Sequence, residues 1–397
     1  MTAGVVDELV APLDDPSFYA GDPFPTYRRL RAEAPIARHE RGRFWVISRH
    51  EDVVRISRDP ETFCSAQGVL IMDIDRDLPD IPGALLYVDP PEHARYRKLV
   101  NPSFAGSRVR ALEDDLRTLA RRVLDGVEAG TEVDLVDDVA VPYPLFVIAD
   151  LLGVPKEDYP KFHEWSDAMI AGGSEQSDDT LAKLTELSSY LMAIIDERRR
   201  SPRDDLVSGL LAATIDGAQL NDGELMMFLI QLLVAGNETT RNLLSNGLIA
   251  LADRPDEWRR LTADRALLPT AIEELLRWTS PVISFLRTAT RDVTVGGIEI
   301  AAGDHLLLLY ASANRDEAVF GDSSETLDIG RDPNHHVAFG FGEHFCLGAA
   351  LARLETRVFL EELFDRFTTI ESVGPIERLR STVIGGVLHA PVVFGTS

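Results

Sequence analysis

The run Phe339-Gly340-Phe341-Gly342-Glu343-His344-Phe345-Cys346-Leu347-Gly348 leads directly into residues 349–363, which are rich in Ala, Leu, Arg and Glu and strongly helix-forming. Cys346 therefore stands at a helix entrance, where free backbone N–H groups and the positive end of the helix dipole favour a thiolate over a thiol. Gly340, Gly342 and Gly348 let the chain turn tightly and let its backbone approach a flat partner that side chains would hold off. Three readings of the cysteine are open at this point. It is a small buried hydrophobe, a nucleophile with His344 as a poorly placed base, or the one thiolate ligand of a metal centre. A structural zinc site is excluded, because it takes four ligands and no second cysteine is near.

Composition narrows the setting. The chain has 397 residues, 45% of them hydrophobic and 26% charged, enough to bury a large core. No Pro/Gly/Ser-rich linker, composition shift or fixed repeat marks a boundary, so one domain over residues 1–397 is expected. With 65 acidic against 40 basic residues, the formal charge of -25 repels phosphate backbones and anionic lipid, which argues against nucleic acid as a partner. The N-terminal stretch lacks the basic-then-apolar order of a secretory signal. The longest apolar stretch, residues 225–235, contains Gln231 and is well short of the roughly 20 residues a membrane span needs. A cytoplasmic location and no membrane span follow as expectations, and Cys64 and Cys346, far apart, are each judged alone.

Outward from the cysteine, apolar residues recur at three- and four-residue intervals over 108–127, 181–199, 256–263 and 267–278, which predicts helices. Strand signals are fewer. They fall at 43–48, at 293–295 and 298–300 joined by Gly296-Gly297 as a hairpin, at 305–310, and at 383–388 and 392–394. The pattern predicts a mainly helical body with small β-sheets beside it, an α+β arrangement.

Two interior stretches break the helical pattern with polar residues. Residues 225–252 read as one long buried helix, yet Ala235-Gly236-Asn237-Glu238-Thr239-Thr240 and Arg241 fall in its middle. A mid-helix glycine costs about 1 kcal/mol against alanine, and a Thr hydroxyl competes for backbone carbonyls and opens the helix locally. A solvated helix face is the plainer alternative. In Glu274-Leu275-Leu276-Arg277 the two charges are spaced i,i+3 and pair on one face, which for a surface pair is worth about 0–1 kcal/mol.

Taken together and in this order, these stretches resemble the motifs of the cytochrome P-450 family: the haem-binding signature Phe-x-x-Gly-x-His-x-Cys-x-Gly at 339–348, the run 235–240, and Glu-x-x-Arg at 274–277. The resemblance extends from about Asp22-Pro23-Phe24 to the C-terminus, through His93-Ala94-Arg95-Tyr96-Arg97 and Ser312-Ala313-Asn314-Arg315-Asp316, which are typical of soluble bacterial members. It implies the family's fold and a haem b (iron protoporphyrin IX) whose iron is held by Cys346, with Ala235, Phe339, Gly340 and Gly348 against the ring. By the same resemblance, His93, Arg97, Arg287 and His344 receive the two propionates, buried carboxylates that need cationic or hydrogen-bonding partners. The opened turn of the long helix makes a niche for dioxygen, where Thr239 supplies hydrogen bonds and Glu238 relays protons. A thiolate ligand donates electron density that assists O–O cleavage, so the cysteine loop and a proton relay are chemically complementary. Glu274 and Arg277 become a buried network that supports the cysteine loop. Here the chain departs from the family, which commonly supplies a second Arg just before Leu327-Asp328-Ile329, where this sequence has Thr326; Arg315 or Arg331 completes the network, or the pair stands alone.

The activity implied is hydroxylation of a lipophilic small molecule (steroid, terpenoid, fatty acyl or polyketide-like) by a haem-thiolate monooxygenase. Substrate contacts are carried over from the family's pocket-lining segments to Val69, Leu70, Ile71 and Met72, Leu85 and Leu86, Met169 and Ile170, Val234, Val282, Ile283, Phe285, Val387 and Leu388, with Ser284 placed to orient a polar group. Two distant cysteines cannot hold an iron–sulfur cluster, so electrons come from outside. The resemblance points to a ferredoxin with its ferredoxin reductase, docking on the basic stretch Arg95, Lys98, Arg108 and Arg110. Two rivals stand beside this reading: a member with atypical chemistry (coupling, dehydration or peroxide-driven oxidation), and a non-catalytic haem-binding sensor.

Overall fold

The computed structural model describes residues 3–78, 82–172, 178–214 and 217–396, with the side chains of residues 3–5 and 166–172 outside that description. Its axis is the helix Asp222–Ala252, which spans 31 residues and so runs roughly 46 Å. A capping box starts it: Asn221 Oδ1 accepts from the Glu224 backbone N–H at 3.0 Å, and Glu224 Oε2 accepts from that of Asn221 at 2.7 Å. Leu225, Leu229, Leu233, Leu243, Leu244, Leu248 and Leu251 are all buried along it, so the helix is apolar on several faces and belongs to the interior.

Around it pack Pro142–Leu151, Leu268–Thr279 and Ala349–Arg366, the last also lying against Glu113–Leu124. These helices share one large apolar core that includes Tyr143, Ile148, Leu275, Leu354 and Phe359. The expected helix over 108–127 is two helices, Gly106–Ala111 and Glu113–Leu124, which meet at Leu112. The other three expected helices appear as Asp178–Arg200, Pro255–Ala263 and Leu268–Thr279.

A five-stranded sheet stands to one side, in the order Ile36–His39, Phe44–Ile47, His305–Leu309, Ser284–Ala289, Phe63–Cys64. Its pairs are antiparallel except Phe44–Ile47 with His305–Leu309, which is parallel, and Phe285 lies opposite Leu308. The hairpin Val293–Val295 and Ile298–Ile300 turns at Gly296 and Gly297, both at positive φ, as the Gly-Gly signal predicts. Strand Pro391–Gly395 joins Glu132–Asp134 and Thr369–Ser372.

The expected strand over 383–388 is mostly irregular: Val387–His389 pairs with Glu377–Arg378, and Ile384 makes a single bridge to Val282. Ser381 Oγ accepts from the backbone N–H groups of Val383 and Ile384 at 3.1 Å each, a local bond that competes with a ladder. The result is a mostly helical fold with small sheets. Among the described residues, no helix is long and apolar enough to cross a membrane.

Candidate active site

The cysteine loop is held by its own backbone. Cys346 N–H donates to the Phe339 carbonyl at 2.9 Å and Gly340 N–H to that of Val337 at 2.9 Å, with a single 3-10 turn Gly342–His344 between them. Gly342 adopts φ +71, and a Cβ there would sit 2.1 Å from the Ser57 carbonyl oxygen, so only glycine fits. Helix Ala349–Arg366 begins three residues after the cysteine. Cys346 itself is half-buried and unpaired, and Cys64 is a second free thiol, fully buried. Burial pushes the Cys346 thiol up, outweighing the Gly348 N–H and the charges of Arg97 and Arg353.

Four basic side chains from three parts of the chain converge near this loop. His93 and Arg97 come from helix Glu92–Val100, Arg287 from strand Ser284–Ala289, and His344 from the loop itself. The rings of His93 and His344 stand with centroids 4.3 Å apart. Burial, then the Arg97 charge, lowers His93 to about 4; burial, then Arg287, His93 and Arg97, lowers His344 to about 2. Burial also lowers Arg97, whose charge is favoured in turn by Cys346.

Acid partners for this group are few. Among the described residues, the ion pairs of the four reduce to His93 Nδ1 with Glu343 at 3.7 Å. Asp89 is turned to the backbone N–H groups of Ser65 and Ala66. Arg287 donates to the carbonyl of its neighbour Leu286 at 2.7 Å, and His93 Nε2 is buried with no partner. Two arginines without acid partners and two neutral imidazoles beside them fit the two carboxylates of a haem, whose charge would offset that of Arg97 and Arg287. The residues present therefore fit the group.

The long helix supplies a second fit. Its flanks are buried, yet Val234 is 42% exposed and Ala235 beside it is exposed as well. A large apolar side chain bare in the middle of an interior helix is a surface that an apolar partner can cover. Thr239 Oγ1 donates to the Ala235 carbonyl at 2.6 Å, the competition expected of this threonine. It does not break the helix, which is continuous from Asp222 to Ala252, so the expected opened turn is corrected. Glu238 is buried and bound to Arg241 at 2.9 Å, one turn further along the same helix.

Glu274 and Arg277 are both wholly buried, and join through two bonds of 2.7 Å. Arg277 also donates to the carbonyls of Asn314, Ser324 and Thr326 at 2.8, 2.8 and 2.9 Å. Arg331 completes the network, donating to Glu274 Oε2 at 3.0 Å, with Asn334 at 3.0 Å on the same oxygen. Arg315 is committed elsewhere. It pairs with Glu325 at 3.0 Å and lies between the rings of Phe24 and Trp278 at 3.4 and 3.7 Å.

Of the expected pocket residues, Leu70, Leu85, Leu86, Val282, Phe285 and Leu388 are half-buried and Val69 and Val387 fully buried. Ile283 packs in a separate core with Leu13, Tyr27 and Leu286, and Val282 and Phe285 lie against a third core with Ile47 and Leu308. Ser284 is buried with its hydroxyl donated to the Thr382 carbonyl at 2.6 Å, and is not free to orient a guest. The side chains of Met169 and Ile170 lie outside the described residues.

Several contributors carry no signal in linear spacing. Ser65 Oγ meets His344 Nε2 at 3.1 Å. Glu273 accepts from Arg353 at 2.6 and 2.7 Å and pairs with His336 at 3.0 Å; burial pushes its carboxyl up, but these bonds outweigh it and hold it at about 2. Arg353 in turn covers the Phe339 ring at 4.5 Å, tying helix Leu268–Thr279 to the cysteine loop.

The Cytochrome P450 family model matches residues 44–391. The chain is 39% identical over 359 residues to the steroid C26-monooxygenase of Mycolicibacterium smegmatis, a match covering 88% of this chain and 83% of that protein. It is 37% identical to the methyl-branched lipid omega-hydroxylase of Mycobacterium tuberculosis, covering 88% of this chain and 84% of the relative. Among solved structures, CYP109E1 from Bacillus megaterium in complex with testosterone is similar with a TM-score of 0.86 and 35% identity, over 95% of this chain and 100% of that one. A match of this extent, over a fold whose cysteine loop is flanked by spare cations, settles the assignment: the chain belongs to the cytochrome P450 family and is a haem-thiolate monooxygenase.

Proposed function

We propose that this monooxygenase, acting as one unit in the cytoplasm, hydroxylates an unactivated C–H bond of a lipophilic small molecule of steroid, terpenoid, fatty acyl or polyketide-like class, with electrons from a ferredoxin and its reductase. The observation that carries the reading is the bare apolar step Val234-Ala235, the one exposed step between Glu224 and Ala252 of the long helix, one turn before Glu238-Thr239. It puts a surface for an apolar body beside the polar groups that oxygen chemistry needs. The names of the relatives, a steroid and a methyl-branched lipid oxygenase, support the substrate class.

Haem, when bound, supplies the chemistry that activates dioxygen. Cys346 Sγ would hold its iron, while His93, Arg97, Arg287 and His344 would take its propionates, His93 through the unpartnered Nε2. Thr239 Oγ1, now donated to the Ala235 carbonyl, is the hydroxyl that would turn to a polar guest in the niche. For Glu238 to pass it a proton, the carboxylate must first leave Arg241. The half-buried Leu70, Leu86, Val282, Phe285 and Leu388, with Val234, would exclude water and hold the apolar body.

The test is turnover of the haem-loaded protein on a steroid with a branched side chain and on a methyl-branched fatty acid, each with ferredoxin, reductase and reduced nicotinamide, and separately with peroxide. A hydroxylated product that depends on the electron chain is expected. Thr239→Ala should keep the substrate-induced Soret shift while electrons are consumed without product. Product from peroxide alone would overturn the oxygen route, and stable haem with no turnover on any lipophilic compound would leave a haem-binding sensor.

A further inference from the structure

A cavity of about 510 Å³ lies away from the cysteine loop, between residues 19–28 and the last turns of helix Asp222–Ala252. Its wall carries four arginines, Arg28, Arg254, Arg315 and Arg378, against three acids, Asp22, Asp253 and Glu325. The acids do not neutralise all of them. Glu325 is shared among Arg28, Arg31 and Arg315, and Asp22 accepts from the backbone N–H of Phe24.

Among the described residues, Arg254 and Arg378 form no ion pair. Arg254 Nη1 donates to the carbonyl of Ala250 at 3.0 Å, with its guanidinium over the Trp278 ring at 4.9 Å. Arg378 Nη1 donates to Asn246 Oδ1 at 3.1 Å. Asn246 and Ala250 are four residues apart on one helix, so the two guanidiniums are anchored roughly one turn, about 5–6 Å, from each other. Each keeps donors free, and Arg315, 6% exposed on the same wall, has a buried Nε with no partner. In a chain of charge -25, two cations that form no ion pair, set beside an indole, suit an anion rather than being a surplus.

We propose that this cavity is a second small-molecule site, separate from the haem pocket, that binds an organic carboxylate with an aromatic or alicyclic body. The carboxylate lies between Arg254 and Arg378, and the body rests on Trp278 and the apolar wall of Ile249, Ala311 and Ile283. Asp253, exposed on the rim, repels the charged end and so fixes which way the ligand enters.

The probe is sodium 2-naphthoate, titrated calorimetrically into the haem-loaded protein, with the uncharged 2-naphthamide as its neutral counterpart. Naphthoate should bind one site tighter than about 1 mM, change tryptophan emission, and leave the Soret band unmoved. Binding should weaken at least about tenfold in the Arg254→Gln, Arg378→Gln double variant and by an intermediate factor in Arg378→Gln alone, the loss expected of a charge-assisted contact. An unchanged haem content shows that the variants are folded. Absence of binding at millimolar naphthoate, equal binding of naphthamide, or insensitivity to both substitutions overturns the site. A Soret shift on binding does so too, because it puts the ligand in the haem pocket. The outcome is independent of the substrate reading, which is tested by turnover.

Discussion

Glu355, on helix Ala349–Arg366, is 2% exposed, and its Oε2 meets no hydrogen-bond donor. Burial alone raises its carboxyl far above the ordinary 4.5, so the folded chain binds this proton more tightly than the unfolded chain does. The stability tied to that proton is therefore fully present below the unfolded value and is lost as pH rises toward the folded one. Glu355→Gln keeps the shape and removes the titration. At pH 7 its thermal midpoint should exceed that of the parent by about 2–4 °C, the shift that roughly 1 kcal/mol makes in a large domain, and the gap should close as pH falls toward 4.5; thermal scans of the haem-loaded protein across that range check it. Glu274 is as deeply buried, but both its oxygens accept hydrogen bonds, from Arg277, Arg331, Asn334 and the backbone N–H of Asp328. The contrast marks where linear spacing stops being legible. The i,i+3 pairing of Glu274 with Arg277 follows from helix geometry, whereas the choice of Arg331 over Arg315 depends on how a distant loop folds back, and the loneliness of Glu355 depends on what fails to reach it.

The loop after residue 82 meets the long helix at Gly83, where both peptide groups of one residue are held. Its N–H donates to Tyr96 Oη at 3.0 Å, and its carbonyl accepts from Gln231 Nε2 at 2.7 Å. Tyr96 in turn donates to Glu224 at 2.8 Å, a carboxylate also taken by Arg95 at 2.7 Å. Helix Glu92–Val100, the loop carrying Leu85 and Leu86, and helix Asp222–Ala252 are thus latched as one unit. Gly83 sits at φ +85, and a Cβ would lie 2.6 Å from the Glu224 carbonyl oxygen. Gly83→Ala should accordingly cost about 1–3 kcal/mol and loosen the loop, seen as a lower thermal midpoint and faster Soret changes on mixing with 4-phenylimidazole. Unchanged kinetics would remove the latch from control of access. None of this is visible in the string, since Gln231 reads there only as a polar blemish in an apolar run. Periodicity recovered most long helices and the Gly296-Gly297 hairpin because those signals are local. It joined two helices across Leu112 and over-extended the strand near Val387, where a turn stabilised by Ser381 competes.

At the scale of the molecule, the question is how a chain of charge -25 would receive the proposed electron donor. At physiological ionic strength the Debye length is about 8 Å, so the total charge is largely screened and the local surface decides docking. Of the basic stretch, Arg95 is already neutralised by Glu92 and Glu224 and half-buried against Tyr96. Arg108 pairs loosely with Asp204 at 3.2 Å, both exposed. Lys98 and Arg110 are exposed with no ion pair among the described residues, and Lys98 shares its helix with His93 and Arg97. These two are the charges free to meet the proposed ferredoxin. Lys98→Glu with Arg110→Glu should raise the KM for the donor about tenfold at low salt while kcat changes by less than about twofold, and should flatten the fall of rate with added salt. Arg95→Gln should instead lower thermal stability and leave the salt response intact, because its charge is spent inside the protein. A parent rate that rises with salt would mean that the whole-molecule repulsion governs the encounter, and that the donor docks elsewhere.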